Sequence, residues 1–478
     1  MEHMYVNKYL TNNSKKNSLE LDDLIIDDIL NDYLIGAFQI YKKIFNQTKT
    51  KIHLQKNIMN TQYKKILLDF YNGLIDNIDS DYDFYNDLNK VEYVFEIYID
   101  GLEMFKFYVF DNDIDYVSKI LHLFNVFTNY IFSEPSKKEN LLKRLIRSSN
   151  PTKINSDNID RYLFNIYIFP NNIKRKLAGQ SYIPKHLNIY KKTNTAFTTS
   201  GVTSVDMILT KKEELSKLLL HELIHLYKLD GNHHYETSFL EQIKQKMPFS
   251  DNNSERESVA ELMSNIYNCM NLCLIISKDH NLNEDQENNL LNILINMEKE
   301  YSVAVVSKIL KYFNVQPNEL FDYNKNKVEL VSPINLYYIF RSVLYFRLND
   351  FLQSKNLVKK NILEINENIY SDLEQYAFES KKSIFMEKLY YYYKKSDLKS
   401  NPSVSYITLD IDFDKVRFDI EFKSYDNQNI FLDKFLKDVQ QLNYYNKKND
   451  EYIIIGGNIN YYYKYLKYKI KYLRLFNN

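Results

Sequence analysis

The sequence predicts an α+β protein that is predominantly helical and carries its strands near the middle of the chain. Apolar residues recur at three- and four-residue spacing over most of the 478 residues, which is the helical period. Two short β-like runs, Tyr162–Phe169 and Val202–Leu209, are followed by helical patterns. Because 45% of the residues are apolar, the chain can bury a core, and wholesale disorder is excluded.

These patterns change along the chain and divide it into four parts. The parts are a helical N-terminal domain (1–150), an α+β domain (151–330), a helical C-terminal region with a β-hairpin over 404–422 (331–450) and a Tyr/Lys-rich tail (451–478). In the first part the predicted helices are Leu19–Phe45, Tyr63–Ile78 and Tyr116–Phe132.

Charge and cysteine content limit the class of protein. The 62 Lys and Arg residues balance the 62 Asp and Glu residues, which argues against nucleic acid as a general partner. The two cysteines, Cys269 and Cys273, exclude a disulfide scaffold and favour a reducing compartment, where we expect them to be small core residues rather than a redox pair. No signal peptide is recognised, and no stretch reaches the ~18–20 apolar residues of a membrane span. We therefore expect a soluble protein without a transmembrane segment.

One helix in the α+β domain is the most informative part of the sequence. Leucine and isoleucine fill most positions from 215 to 226, which predicts a largely buried helix. Thr210 and Glu213 are expected to form a capping box at its start, and Gly231 stands where a left-handed C-terminal residue belongs. This helix contains the sequence HELIH.

The two histidines of HELIH have the spacing of metal ligands. His221 and His225 lie one helical turn apart on one face, so both imidazoles can bind a single ion. Glu222 lies beside them, where its carboxylate can accept a proton from a metal-bound water. The alternative is a buried helix with two hydrogen-bonded histidines and a paired acid.

A catalytic zinc site needs a third protein ligand, and a second helical pattern downstream offers one. Glu257 and Glu261 lie four residues apart on one face, which suits one metal ligand and one acceptor that orients a ligating imidazole. We predict Glu257 as the ligand, with Glu255 and Glu261 as alternatives. A solvated acidic face would produce the same spacing.

These motifs resemble a known family. HELIH followed by E-x-x-A-E resembles the zincin metallopeptidases of the gluzincin type, and ERESVAEL is similar to the third-ligand helix of the anthrax lethal factor-like group. The segment LTKKEELSKLLLHELIHLYKLD resembles metallopeptidases of nucleocytoplasmic large DNA viruses. The resemblance covers about 196–268 and implies that His221, His225 and Glu257 bind zinc, that Glu222 is the catalytic base and that Glu261 supports a histidine.

The resemblance implies a zincin-like domain, with a small mixed sheet and an active-site helix, that binds one Zn²⁺ per chain and hydrolyses peptide bonds in a protein or peptide substrate. Zincins pair an extended substrate with an edge strand, and Val202–Leu209 occupies that place here. Donors to the developing oxyanion are also needed. The candidates are His233, His234, Tyr235 and Tyr267, although His233 and His234 also fit a polar loop.

The tail has a different character from the rest of the chain. From Tyr461 onward it has five Lys/Arg, no acid and six tyrosines, and it resembles C-terminal extensions of large-DNA-virus proteins. Such a segment can bind a partner, and the alternative is a terminal helix that packs its Leu/Ile stripe on the rest of the protein while its lysines stay in water. We therefore expect the host cytoplasm or the virion as the location, other virion proteins as partners, and Gly456-Gly457 as a processing point. The alternatives are a non-catalytic virion structural or interaction protein that keeps a zincin fold, and a nucleic-acid or membrane binder with a structural zinc.

Overall fold

A computed structural model describes the parts of the chain that surround the HELIH helix. The described residues are 30, 32–73, 88–102, 104–110, 114–139, 141, 164–171, 196–200, 205–211, 215–230, 247–250, 254–321, 328–329, 334–353 and 384–395. The predicted hairpin over 404–422 and the Tyr/Lys-rich tail lie outside them. The described fold is α+β and mainly helical, which confirms the predicted class at this level.

The described helices and strands alternate in an irregular order. The helices are α1 (Asp32–Gln47), α2 (Thr61–Gly73), α3 (Ile114–Phe132), α4 (Leu215–Tyr227), α5 (Ser254–His280), α6 (Glu284–Tyr312), α7 (Ile334–Phe346), α8 (Leu348–Gln353) and α9 (Ile384–Lys395). The strands are β1 (Ile52–Ile58), β2 (Tyr93–Ile99), β3 (Phe105–Val109), β4 (Phe164–Asn171), β5 (Ala196–Ser200), β6 (Val205–Lys211), β7 (Phe249–Ser250) and β8 (Val328–Glu329).

Six strands form one mixed sheet in the order β1-β2-β3-β4-β6-β5. The pairs β1/β2 and β2/β3 are antiparallel, whereas β3, β4 and β6 run parallel and place Ile166 opposite both Phe107 and Met207. Strand β5 returns antiparallel to β6. Among the described strands, β1 and β5 are therefore the two edges of this sheet.

The sheet separates two apolar cores because alternate side chains point to opposite faces. On one face Phe107, Ile166 and Leu209 pack into the large core that also contains the helices around the HELIH segment. On the other face Tyr167 and Ile208 join a small cluster with Leu67 of α2. The large core supports α4 from the sheet side, and α5, which packs against α4, belongs to the same core.

The prediction of a separate helical domain over 1–150 is wrong in the described residues. Strands β1, β2 and β3 all come from this part, and β3 pairs with β4 across the predicted boundary. Short apolar runs such as β2 and β3 are equally compatible with a buried helix, so the apolar pattern alone could not identify them as strands. The turn between β2 and β3 contains Asp100-Gly101, with Gly101 at φ 80°, a hairpin signal that could have identified it.

Both predicted ends of the HELIH helix need correction. Thr210 is not a cap, because it lies within β6 and the helix begins at Leu215. At the C-terminal end Lys228 already takes the left-handed conformation, with φ 53°, three residues before the predicted Gly231, which lies outside the described residues. The amide of Lys228 donates to the His225 carbonyl (3.1 Å) and that of Leu229 to the Ile224 carbonyl (3.0 Å), which is a Schellman motif.

Strand Val202–Leu209 is not the edge strand that the sequence predicted. Its described counterpart, β6, is bordered by β4 on one side and β5 on the other, so its backbone groups are already paired. The strand β5, over Ala196–Ser200, was not predicted and forms the edge next to α4, which packs against both β5 and β6.

The longest apolar helical segment belongs to the core. Arg256–Lys278 in α5 is long and apolar enough to cross a membrane, but 94% of its most apolar window is buried inside the fold. Cys269 and Cys273 lie in this segment as free, fully buried thiols, and burial raises the pKa of both well above the usual value. The expectation that they are core residues is confirmed.

Candidate metal centre

The histidines of HELIH meet because α4 is a regular helix. His221 and His225 are four residues apart, their ring centroids are 4.8 Å apart and their planes cross at 80°. The two Nε2 atoms face each other at 3.1 Å. Both imidazoles are largely removed from water, with side-chain exposures of 11% and 15%.

Glu257 brings a carboxylate to the same point from the first turns of α5. Its Oε2 lies 3.2 Å from His221 Nε2 and 3.4 Å from His225 Nε2. Ligand atoms bound tetrahedrally to one zinc ion at the usual bond lengths are about 3.3–3.4 Å apart. The three atoms therefore have the separations that a single small divalent ion requires, so the structure brings together the three residues predicted from the sequence, and their binding of zinc stays a prediction.

A carboxylate stands behind each imidazole. His225 Nδ1 lies 2.6 Å from Asp230 Oδ2, and His221 Nδ1 lies 3.0 Å from Glu261 Oε2. Since an ionised carboxylate only accepts hydrogen bonds, the contact with Asp230 assigns the proton of His225 to Nδ1 and leaves the lone pair on Nε2, and the nearby Glu261 carboxylate favours the same tautomer of His221. In these tautomers three lone-pair atoms converge, an arrangement that a shared cation, either a proton or a metal ion, stabilises.

The pKa shifts of the two histidines and of Glu257 also favour a positive charge at this point. Burial lowers the pKa of His225, but Glu257 and Asp230 outweigh burial and raise that pKa well above its ordinary value. His221 is shifted in the same direction by Glu257 and Glu261, again against burial, so its pKa is also raised. Burial raises the pKa of Glu257, yet the two histidines hold it well below its usual range.

Glu222 lies between the two histidines in sequence and is 6% exposed. Consecutive helical residues are about 100° apart around the axis, so its side chain leaves α4 next to the face that carries the imidazoles. A carboxylate at this position has the chemistry of a proton acceptor next to a metal.

The other predicted site residues have different outcomes. Tyr267 is fully buried and packs against Tyr41, Phe127 and Tyr130, and ten residues of helix, about 15 Å, separate it from Glu257. It is therefore a core residue, and its prediction as an oxyanion donor is wrong. His233, His234 and Tyr235 lie outside the described residues, as does the side chain of Glu255.

Sequence reasoning missed four residues around the histidines. Arg256 forms an ion pair with Asp230, and Lys217 and Arg341 both pair with Glu261. Lys217 could have been found, because it lies one turn before His221 on the same face of an apolar helix. Asp230 depends on the turn after α4, and Arg341 is 80 residues from its partner, so no local pattern indicates them.

Comparison with known proteins gives one informative similarity. The chain is 28% identical over 209 residues to "Uncharacterized protein R210" of Acanthamoeba polyphaga mimivirus, an alignment that covers 39% of this chain and 51% of that protein. The chain thus matches about half the length of this relative, which comes from a large DNA virus. No protein family matches the chain, and no solved structure matches it.

Proposed function

We propose that the protein is a zinc-dependent endopeptidase in which His221, His225 and Glu257 bind the metal and Glu222 is the general base. The observation that carries the proposal is the convergence of three ligand atoms at 3.1–3.4 Å, with a second carboxylate next to them in the HELIH sequence. The resemblance to gluzincins over HELIH and the glutamate helix supports the same assignment.

The donor set suits zinc in particular. Two imidazoles and one carboxylate form the ligand set of catalytic zinc sites that keep one open position, and each imidazole has a carboxylate on its other nitrogen. A bound zinc ion would acidify a water molecule and polarise the carbonyl of the scissile bond.

The protein's own groups would then do two things. Glu222 would take the proton from the attacking water and pass it to the leaving amine, a task for which its carboxylate must be ionised. Strand β5 would hold the substrate, because its outer edge is unpaired among the described strands and an extended peptide can add to such an edge. Since α4 packs against β5, a peptide on this edge would lie next to the helix that carries two of the proposed metal ligands.

The mimivirus relative supports a viral setting for this activity. On that basis we propose that the enzyme acts in the cytoplasm of an infected host cell or within the virus particle, on a protein or peptide substrate.

A second candidate is a virion structural or interaction protein that keeps the metal site without turnover. The burial of the site favours it, since His221 is 9% and Glu222 only 6% exposed among the described residues. A metal that serves stability alone needs no access for a substrate.

An unbiased peptide-library digest by the zinc-loaded protein separates the two candidates. The wild type should cleave peptides, and Glu222→Gln should keep its zinc but lose at least about 100-fold in rate, because general-base catalysis contributes about 10²–10⁴-fold. The matched control is Glu387→Gln, which changes an exposed glutamate on α9 and should cleave like the wild type. Equal cleavage by Glu222→Gln, or none by the zinc-loaded wild type, would contradict the peptidase proposal.

A further inference from the structure

Glu261 is a buried carboxylate with three charged or polar partners. It is 2% exposed, and its Oε2 lies 3.0 Å from His221 Nδ1 and also pairs with the Lys217 ammonium. Its Oε1 lies 3.2 Å from Nη1 of Arg341. Lys217 and Arg341 are each fully buried, so both cations are withdrawn from water around this one acid.

Glu261 and its two cationic partners come from three different helices. Lys217 lies one turn before His221 in α4, Glu261 one turn after Glu257 in α5, and Arg341 in the middle of α7. The Arg341 guanidinium also lies over the ring of buried Tyr338, with its carbon 5.0 Å from the ring centroid. The position of the Glu261 carboxylate is therefore fixed from three helices.

A buried charge is costly unless it is paired, and here Glu261 lies between two buried cations, while the buried acid Glu298 also acts on Arg341. Lysine and arginine are donors only, so the carboxylate between them can act toward His221 only as an acceptor. The carboxylate oxygen Oε2 lies 3.0 Å from His221 Nδ1, and the other ring nitrogen, Nε2, lies 3.2 Å from Glu257 Oε2 and 3.1 Å from His225 Nε2.

We propose that Lys217 and Arg341 are positioning residues of the metal centre, which hold the Glu261 carboxylate in the one place where it orients the His221 imidazole for metal binding. This inference rests on the proposed function, because it presumes that His221 binds a metal. It also extends the metal centre into α7, beyond residue 330, where the sequence had placed the end of the domain that contains it.

The test is metal binding by the full chain. Zinc affinity is measured by competition with a chelator, and the visible spectrum is recorded with Co²⁺ in place of zinc. Arg341→Met should bind zinc about 10- to 100-fold more weakly than the wild type and should change the intensity of the Co²⁺ bands, as loss of an outer partner of a ligand does. Arg341→Lys, which keeps the charge, should restore part of the affinity.

The control variant is Lys388→Met, which removes the ion pair between Lys388 of α9 and Glu300 of α6. It should lower thermal stability without changing zinc affinity or the Co²⁺ spectrum. The comparison therefore distinguishes a positioning residue from one that only stabilises the fold. If Arg341→Met does not fold, Lys217→Met provides the same measurement with the same expected result.

Two results would overturn the inference, and they are distinguishable. Unchanged zinc affinity and an unchanged Co²⁺ spectrum in the folded variant would make the two cations structural only, with the proposed function intact. A wild-type chain that binds neither Zn²⁺ nor Co²⁺ would remove the metal centre itself, and with it the proposed function.

Discussion

His225 has a carboxylate on each side of its ring, and these two acids determine the charge of the proposed metal centre. Asp230 lies 2.6 Å from Nδ1 and Glu257 lies 3.4 Å from Nε2. Burial alone would keep the ring neutral, but the two acids outweigh burial and raise its pKa well above the ordinary value. A proton on this ring therefore competes with a metal ion for the same place.

This competition predicts how zinc binding depends on pH. A group whose pKa is raised on folding stabilises the metal-free fold fully below its unfolded value, ~6.5 for histidine, and loses that contribution as the pH rises through the folded pKa. Zinc needs the unprotonated ring, so its affinity should increase with pH above ~6.5, by up to about tenfold per pH unit for each proton displaced. Calorimetry at fixed free zinc and several pH values measures this.

The control for this experiment is His53→Ala. His53 is an exposed histidine on β1, paired with Asp100 at the edge of the sheet. Its removal should leave the pH dependence of zinc affinity unchanged. An affinity that does not change between pH 6.5 and 8 in the wild type would show that no histidine proton is displaced.

At the scale of the elements, basic and acidic side chains alternate along the contact between the antiparallel helices α4 and α5. Lys217, His221 and His225 succeed one another at four-residue spacing along α4, and Glu261 and Glu257 lie between them from α5. Each basic or imidazole group thus has an acidic neighbour from the other helix. Within each helix these residues share a face because they are four residues apart. The histidine and glutamate positions could therefore be predicted from the sequence.

The turn at the end of α4 brings one more acid, Asp230, to the histidines. Lys228 at φ 53° reverses the chain, so that Asp230 returns to His225. A left-handed conformation costs a lysine about 1–2 kcal/mol. Lys228→Gly should therefore raise the free energy of unfolding by about 0.5–1 kcal/mol, since this gain exceeds the added backbone entropy of glycine in the unfolded chain. Urea denaturation measures the change.

Lys228→Ala is the matched control, because it removes the same side chain but keeps the penalty of the left-handed backbone. It should show no comparable gain. A Lys228→Gly variant that is less stable than Lys228→Ala would mean that the conformation carries no strain at this position.

At the scale of the whole molecule, the proposed metal centre depends on segments far from HELIH. The N-terminal helix α1 packs on α5, where the hydroxyl of Tyr41 donates to Asn271 Oδ1 at 2.7 Å inside the large core. The sheet joins residues 52–58 to 205–211 through four intervening pairings. The described part of the chain before residue 150 is therefore a support for the site rather than a separate unit.

Features that arise from local periods could be predicted from the sequence, whereas features that arise from distant contacts could not. The helical period identified α4, the glutamate helix and the three residues whose side chains converge between them. The same period could not distinguish β2 or β3 from buried helix, since both strands are almost entirely apolar. It also could not indicate Arg341, whose role arises only when α7 packs against α5.

The central claim is that side chains from α4 and α5 hold one zinc ion, and metal analysis of the purified full chain tests it most directly. After weakly bound metal has been dialysed away, the wild type should retain about one zinc per chain, as a site with three protein ligands does. His225→Ala and Glu257→Ala should each retain almost none. Full zinc retention by both variants, or a wild type that holds no zinc after reconstitution, would contradict the claim.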